Sequence, residues 1–190
     1  MAQHYDGDDT KLKGGTDETP IGNVGDRLKV DSTTSNVGLD NSKIFSSTVL
    51  VNASSSSLNN PLLYLRNPAG SGKKLYILRA SGNTTISNER TLFGVHLNPT
   101  VVVNGVATPV VSRDLGGVAV SVVQAFTLPT ITALGATISW TPTGDNTSEQ
   151  EFVGFELALL KPGNNILVSG QPKSNNRVQA ITLIWFEETL

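Results

Sequence analysis

Ala180-Ile181-Thr182-Leu183-Ile184-Trp185-Phe186 stands near the end of the 190-residue chain and is built almost wholly of β-branched, aliphatic and aromatic residues. Those residue types suit a pleated strand packed on its neighbours. At the rim of a sheet the same stretch would present an apolar row of unpaired N–H and C=O groups, a template for aggregation. It therefore predicts a strand in the interior of a sheet.

Upstream of it, β-rich runs alternate with turn chemistry. Strands are predicted near 44–51, 62–66, 74–81, 91–97, 100–103, 106–111, 117–127, 130–141, 152–160, 165–169 and 178–187. The separators are of the Asn-Pro, Asn-Gly and Gly-Gly kind: Asn67-Pro68-Ala69-Gly70, Asn98-Pro99, Asn104-Gly105, Gly116-Gly117, Leu134-Gly135 and Lys161-Pro162-Gly163-Asn164. Asn104-Gly105 between two valine-rich runs is the strongest hairpin signal, because both residues tolerate the positive φ of a type I′ turn. Eight to eleven strands in the region 39–190 fit an antiparallel β-sandwich, jelly-roll-like in class. No internal repeat is evident.

Composition agrees with an all-β chain. Hydrophobic residues make up 38% and charged residues 16%, below the usual roughly 45–50% and about 25%. Eighteen Gly and nine Pro leave no sustained helical face. A net charge of −2 gives no long-range field for nucleic acid or an anionic membrane. There is no cysteine, so disulfides, thiolate metal sites and a cysteine nucleophile are excluded. The opening Met1-Ala2-Gln3-His4-Tyr5-Asp6 does not read as a signal peptide, and no apolar run approaches the roughly 20 residues of a membrane helix.

The first 38 residues are of another character. Eleven of the 30 charged residues fall within the first 31, among several glycines. This stretch holds too little apolar surface to fold alone and is predicted to be an extended arm and linker. Ile21, Val24, Leu28 and Val30 are its candidate partner-binding residues.

Catalytic patterns find ordinary explanations. Gly70-Ser71-Gly72-Lys73-Lys74 resembles the end of a phosphate loop, but Asn67 stands where its first glycine belongs and Lys74 where the magnesium hydroxyl belongs. A strand is predicted after it instead of a helix, so the stretch reads as a hairpin turn. Asp6-Gly7-Asp8-Asp9 lacks the spacing and closing glutamate of a calcium loop. Asp145, Glu149, Glu151 and Glu156 read as solvated loop charges. His4 and His96 are the only histidines, too few for a metal triad within one chain, and no Gly-x-Ser-x-Gly elbow occurs. Lys73, Lys74 and Arg79 with Tyr64 and Tyr76 form a possible basic-aromatic patch, with snorkelling cations on a half-exposed strand as the plainer reading. No enzyme activity, cofactor or metal is expected. A carbohydrate-binding sandwich would need exposed aromatics, and Trp140 and Trp185 both sit in contexts that predict burial.

Thr19-Pro20-Ile21-Gly22-Asn23-Val24-Gly25-Asp26-Arg27-Leu28-Lys29-Val30 resembles a segment that precedes a β-domain in virion structural proteins of tailed bacteriophages. Leu62 to Ile77, with Asn67-Pro68-Ala69-Gly70-Ser71-Gly72-Lys73 at its centre, is similar to a pattern in small phage head-decoration and fibre-associated proteins. Leu97-Asn98-Pro99-Thr100, Leu160 to Val168 and Ile184 to Glu188 extend the resemblance over most of 19–188. It implies a virion structural protein assembled in the bacterial cytoplasm, chiefly a capsid decoration or cement protein. The implied partners are its own copies, as a homotrimer, and the major capsid protein or other virion subunits, without nucleic acid or membrane. A tail, adaptor or fibre-base component is the alternative.

Overall fold

The computed structural model describes residues 43–53, 59–84, 91–114, 118–142, 150–153, 158–173 and 177–190, the strand 150–153 by its backbone alone. They belong to the unit Asn41–Leu190. The arm residues Ile21, Val24, Leu28 and Val30 lie outside the described residues, as do Asp6 to Asp9, Asp145, Glu149 and Glu156.

The described chain is all-β and antiparallel. One sheet contains β1 (Ile44–Ala53), β3 (Lys73–Thr84), β7 (Val111–Ser112), β11 (Gln150–Val153), β12 (Ala158–Leu160) and β14 (Arg177–Thr189), in the order β11-β3-β14-β1-β7 with β12 also on β3. The other contains β2 (Asn60–Arg66), β4 (Thr91–Leu97), β6 (Val106–Thr108), β8 (Gln124–Thr127), β10 (Ala136–Pro142) and β13 (Asn165–Pro172), in the order β10-β4-β13-β2-β8-β6. The closing strand β14 lies between β3 and β1, as its composition requires. Its inward residues Ile181, Leu183 and Trp185 are sealed from solvent. They share one core with Ile77, Val49 and Phe45 from the same sheet and with Leu63, Leu65, Phe93, Val95, Ile166 and Val168 from the other. Each large side chain buried there contributes roughly 1.5–3 kcal/mol.

Several expectations need correction. β2 and β3 are in different sheets, so Asn67 to Gly72 is a crossover between layers and not a hairpin turn. Asn104-Gly105 does not close a hairpin either: β5 (Thr100–Val103) pairs with β9 (Thr130–Ala133), and β6 pairs with β8. Only Gly105 of that dipeptide has positive φ, at 89°. The run expected over 117–127 is a strand only at 124–127, 106–111 divides into β6 and β7, and 130–141 divides at Leu134-Gly135.

These corrections share a cause. Thr91 to Thr108 and Gln124 to Pro142 form one long antiparallel ribbon, kept in register through Leu97↔Ala136, Thr100↔Ala133, Val103↔Thr130 and Val106↔Thr127. Its β4/β10 end is one rim of the second sheet and its β6/β8 end is the opposite rim. From Asn98 to Gly105 the ribbon moves four strand positions sideways and four residues down the strand axis. At about 4.8 Å per strand and 3.3 Å per residue that diagonal is about 23 Å, which seven extended residue steps just span. The β5–β9 segment is therefore a strap across the outer face of the sheet, over β13 and β2. Beneath it the outward side chains of the central row, His96, Leu167 and Tyr64, are buried.

The strap also contains an internal repeat that inspection of the sequence missed. Residues 98–105 and 128–135 are related by a shift of 30: Asn98-Pro99-Thr100-Val101 against Leu128-Pro129-Thr130-Ile131, and Gly105 against Gly135. Asn98 and Leu128 have φ of 51° and 52°, and Gly105 and Gly135 have 89° and 80°. Pro99 and Pro129 are both buried. A Cβ at Gly105 would lie 2.2 Å from the Thr127 carbonyl oxygen, and one at Gly135 would lie 2.1 Å from that of Leu97. The two halves cross by a local two-fold, and glycine is required where each passes over the other's backbone.

Candidate functional site

Three polar clusters lie within the fold. The first is the crossover at Asn67. Its side-chain amide donates to the carbonyls of Lys73 at 2.9 Å and Leu160 at 3.0 Å, and its backbone N–H donates to Asn164 O at 3.0 Å. Gly163 N–H donates back to Asn67 O at 2.9 Å, and Ser71 N–H closes a turn onto Pro68 O at 3.0 Å. The Asn-Pro-Ala-Gly-Ser-Gly-Lys motif is thus consumed in tying two loops together, and the strand β3 follows it directly. No helix N-terminus stands there to receive a phosphate.

The second cluster surrounds His96. Its Nε2 is 2.7 Å from Ser169 Oγ, its Nδ1 is 2.9 Å from Thr137 Oγ1, and Trp140 meets the ring edge-on at a centroid distance of 5.2 Å. This juxtaposition of serine and imidazole was not legible beforehand, since the residues come from β4, β13 and β10. His96 and Ser169 are both fully buried, so no substrate reaches the pair. Burial pushes the imidazole down to a pKa of about 4. It is a neutral imidazole that locks the strand β4 beneath the strap.

In the third cluster, the buried Glu187 carboxylate accepts hydrogen bonds from Ser121 Oγ, from Trp185 Nε1 at 3.3 Å and from Val122 N–H at 3.5 Å. Lys73 Nζ lies 3.9 Å away. The carboxylate holds 121–122 against the end of the core. Among the described residues no three His, Asp or Glu side chains converge as metal ligands. The basic-aromatic patch does not assemble, because Tyr64 is buried in one sheet while Tyr76 lies in the other. A shallow groove of about 220 Å³ over Ser81, Asn83 and Thr182 lies on the first sheet.

The surface of the strap is different in kind. From Thr91 to Gly144 the only charged residues are the adjacent Arg113 and Asp114; the other 28 lie elsewhere. Among the described residues eleven large hydrophobic side chains are exposed, and eight of them fall in this stretch, including Val102, Val103, Val106, Val118, Leu128 and Trp140. Trp140, expected to be buried, is 41% exposed, whereas Trp185 is sealed. An apolar surface cleared of charge is the composition of an interface core. The sequence carried this signal as a missing residue class, which no motif search registers.

No protein-family model, no curated protein and no solved structure matches the chain. The class that stands is an all-β antiparallel sandwich with a strap over one face.

Proposed function

We propose that this chain is a structural protein of a tailed-bacteriophage virion, a capsid decoration or cement protein that acts as a homotrimer on the head lattice. The observation that carries the reading is the uncharged, apolar outer surface on a sandwich whose polar clusters are sealed inside. The resemblance of residues 19–188 to phage decoration and fibre-associated proteins supplies the setting. In this reading the arm, with Ile21, Val24, Leu28 and Val30, reaches neighbouring subunits and gains order on them. A ligand that binds only the assembled shell shifts the equilibrium toward it, and several weak attachments per oligomer act together.

The test is to add purified chain to heads stripped of it. Saturable binding with recovered resistance to heat or osmotic shock is expected. Heads that are stable without the protein but fail in tail attachment or host adsorption would move it to the tail, adaptor or fibre base. A second reading, a carbohydrate-binding sandwich, is favoured by the exposed Trp140, whose ring face could stack on a sugar. Glycan binding lost on Trp140→Ala, with head binding absent, would select it.

A further inference from the structure

The two halves of the strap supply an internal control. At each place where the backbone dictates the residue, they agree: Pro99 and Pro129, Thr100 and Thr130, Gly105 and Gly135. At the left-handed position they differ. Asn98, with φ 51°, is a residue type that tolerates this region, and its side chain is used there to tie in the start of β13: Asn98 Oδ1 accepts from Asn165 N–H at 3.1 Å. Leu128 has φ 52°, no such bond is open to its side chain, and 48% of it is exposed. A leucine there is strained in the backbone and wet in the side chain, two costs that its counterpart shows the fold does not require. Strain retained at one place points to a role outside the fold.

Its neighbours are of the same kind. Register sets Val106 opposite Thr127 and Val103 opposite Thr130, on either side of Leu128. Val103 and Val106 are 56% and 66% exposed, while the residues related to them by the repeat are Ala133 and Ala136. At Asn104 and Leu134 the exchange runs the other way, but Leu134 is half-buried; the asymmetry is one of exposed side chains, three large apolar ones at this end where the other has two alanines and an asparagine.

We infer that this end of the strap, Val103, Val106 and Leu128, is the self-association surface of the protein, seated on the same three residues of a second copy about a rotation axis. The occupant follows from charge. A surface drawn from a stretch with two charged residues in 54 buries no ion when it meets itself, whereas the rest of the chain carries 28. The faces of a second copy outside this stretch would bring charges that this end cannot pair. Around a rotation axis the residues nearest it meet their own equivalents in the other copies, so one strained leucine placed there serves every copy. The inference rests on the reading of the chain as an assembling structural protein, and names where its copies meet.

The experiment is sedimentation equilibrium on the full chain, at moderate salt and at about 1 M salt, where the screening length falls to about 3 Å. Wild type is expected to be a trimer at both, since no ion pair holds it together. Leu128→Asn installs the residue found at the equivalent position and is expected to raise the dissociation constant at least about tenfold without lowering the melting temperature of the dilute protein. Val103→Lys, on an exposed site, should do the same. A monomeric wild type, an oligomer that dissolves in high salt, or an oligomer unmoved by both variants would overturn the inference. Binding to stripped heads, assayed separately, distinguishes its failure from that of the virion reading. If a monomeric wild type binds heads and Leu128→Asn abolishes that binding, the surface serves a different subunit and self-association is refuted.

Discussion

His96 couples the stability of the strap to pH. In the fold its imidazole is neutral, bonded at both nitrogens by Ser169 and Thr137, and held at a pKa of about 4 by burial. In the unfolded chain it titrates near 6.5. The unfolded state therefore binds more protons throughout that interval. Stability from this group is complete above pH 6.5 and is lost progressively as pH falls toward 4, below which the slope vanishes. At about 1.4 kcal/mol per unit the loss amounts to at most about 3 kcal/mol. With a urea m-value of about 2 kcal/mol per molar, the midpoint should fall by about 1–1.5 M between neutral pH and pH 4. The measurement is a difference, wild type against His96→Gln, which retains hydrogen-bonding capacity and has no titration there, so that acid effects common to both chains cancel. The variant should be less stable at neutral pH and should show a shallower decline on acidification, the two curves converging near pH 4. Curves that stay parallel from pH 7 to 4 would refute the assignment of a neutral, desolvated imidazole at this position.

Two further perturbations test the packing. Gly135→Ala places a methyl group against the Leu97 carbonyl in a left-handed conformation; it should cost about 3 kcal/mol or more in chemical denaturation, whereas Gly70→Ala, with open space around it, should change stability by less than about 0.5 kcal/mol. Glu187→Ala removes the acceptor shared by Ser121, Val122 and Trp185; a loss of about 2 kcal/mol or more is expected, with hydrogen exchange at Val122 and Val123 rising before that of β14, and uniform exchange across both would show that the carboxylate is not the local anchor.

Local chemistry told the truth about conformation and misled about pairing. Gly105 does adopt the positive φ that Asn104-Gly105 announced, but a turn signal states how the chain bends and not which strand it joins. The partners of β5 lie about 30 residues on and those of β6 about 20, and only the register of the whole ribbon selects them. β14 was legible because its apolar, β-rich composition and its need for two neighbours are properties of one segment. Val118 and Val120 were misread for the converse reason: they have strand composition, yet they are 94% and 85% exposed and pair with nothing in either sheet. Valine content is evidence of a strand only where a neighbour takes the other edge.

The candidate surface was hidden by the same division between local and long-range information. Between Thr91 and Gly144 the depletion of charge is plain in the sequence, but a stretch of 54 residues with two charges in a sandwich is ordinarily core. It becomes a surface statement only when the ribbon is seen to pass over the outside of the sheet, with Leu167 and Tyr64 buried beneath it and Val102, Val103 and Leu128 exposed on it. The repeat was faint because the fold requires identity at few positions: a proline to start each crossing, a threonine after it, a glycine where the backbones meet. Elsewhere the two halves differ, and large exposed apolar side chains stand at Val103, Val106 and Leu128 where the other half has Ala133, Ala136 and Asn98. A difference between two halves under the same backbone constraint separates what the structure needs from what the surface does, and Leu128 in the place that Asn98 takes in the other half is where that separation is sharpest.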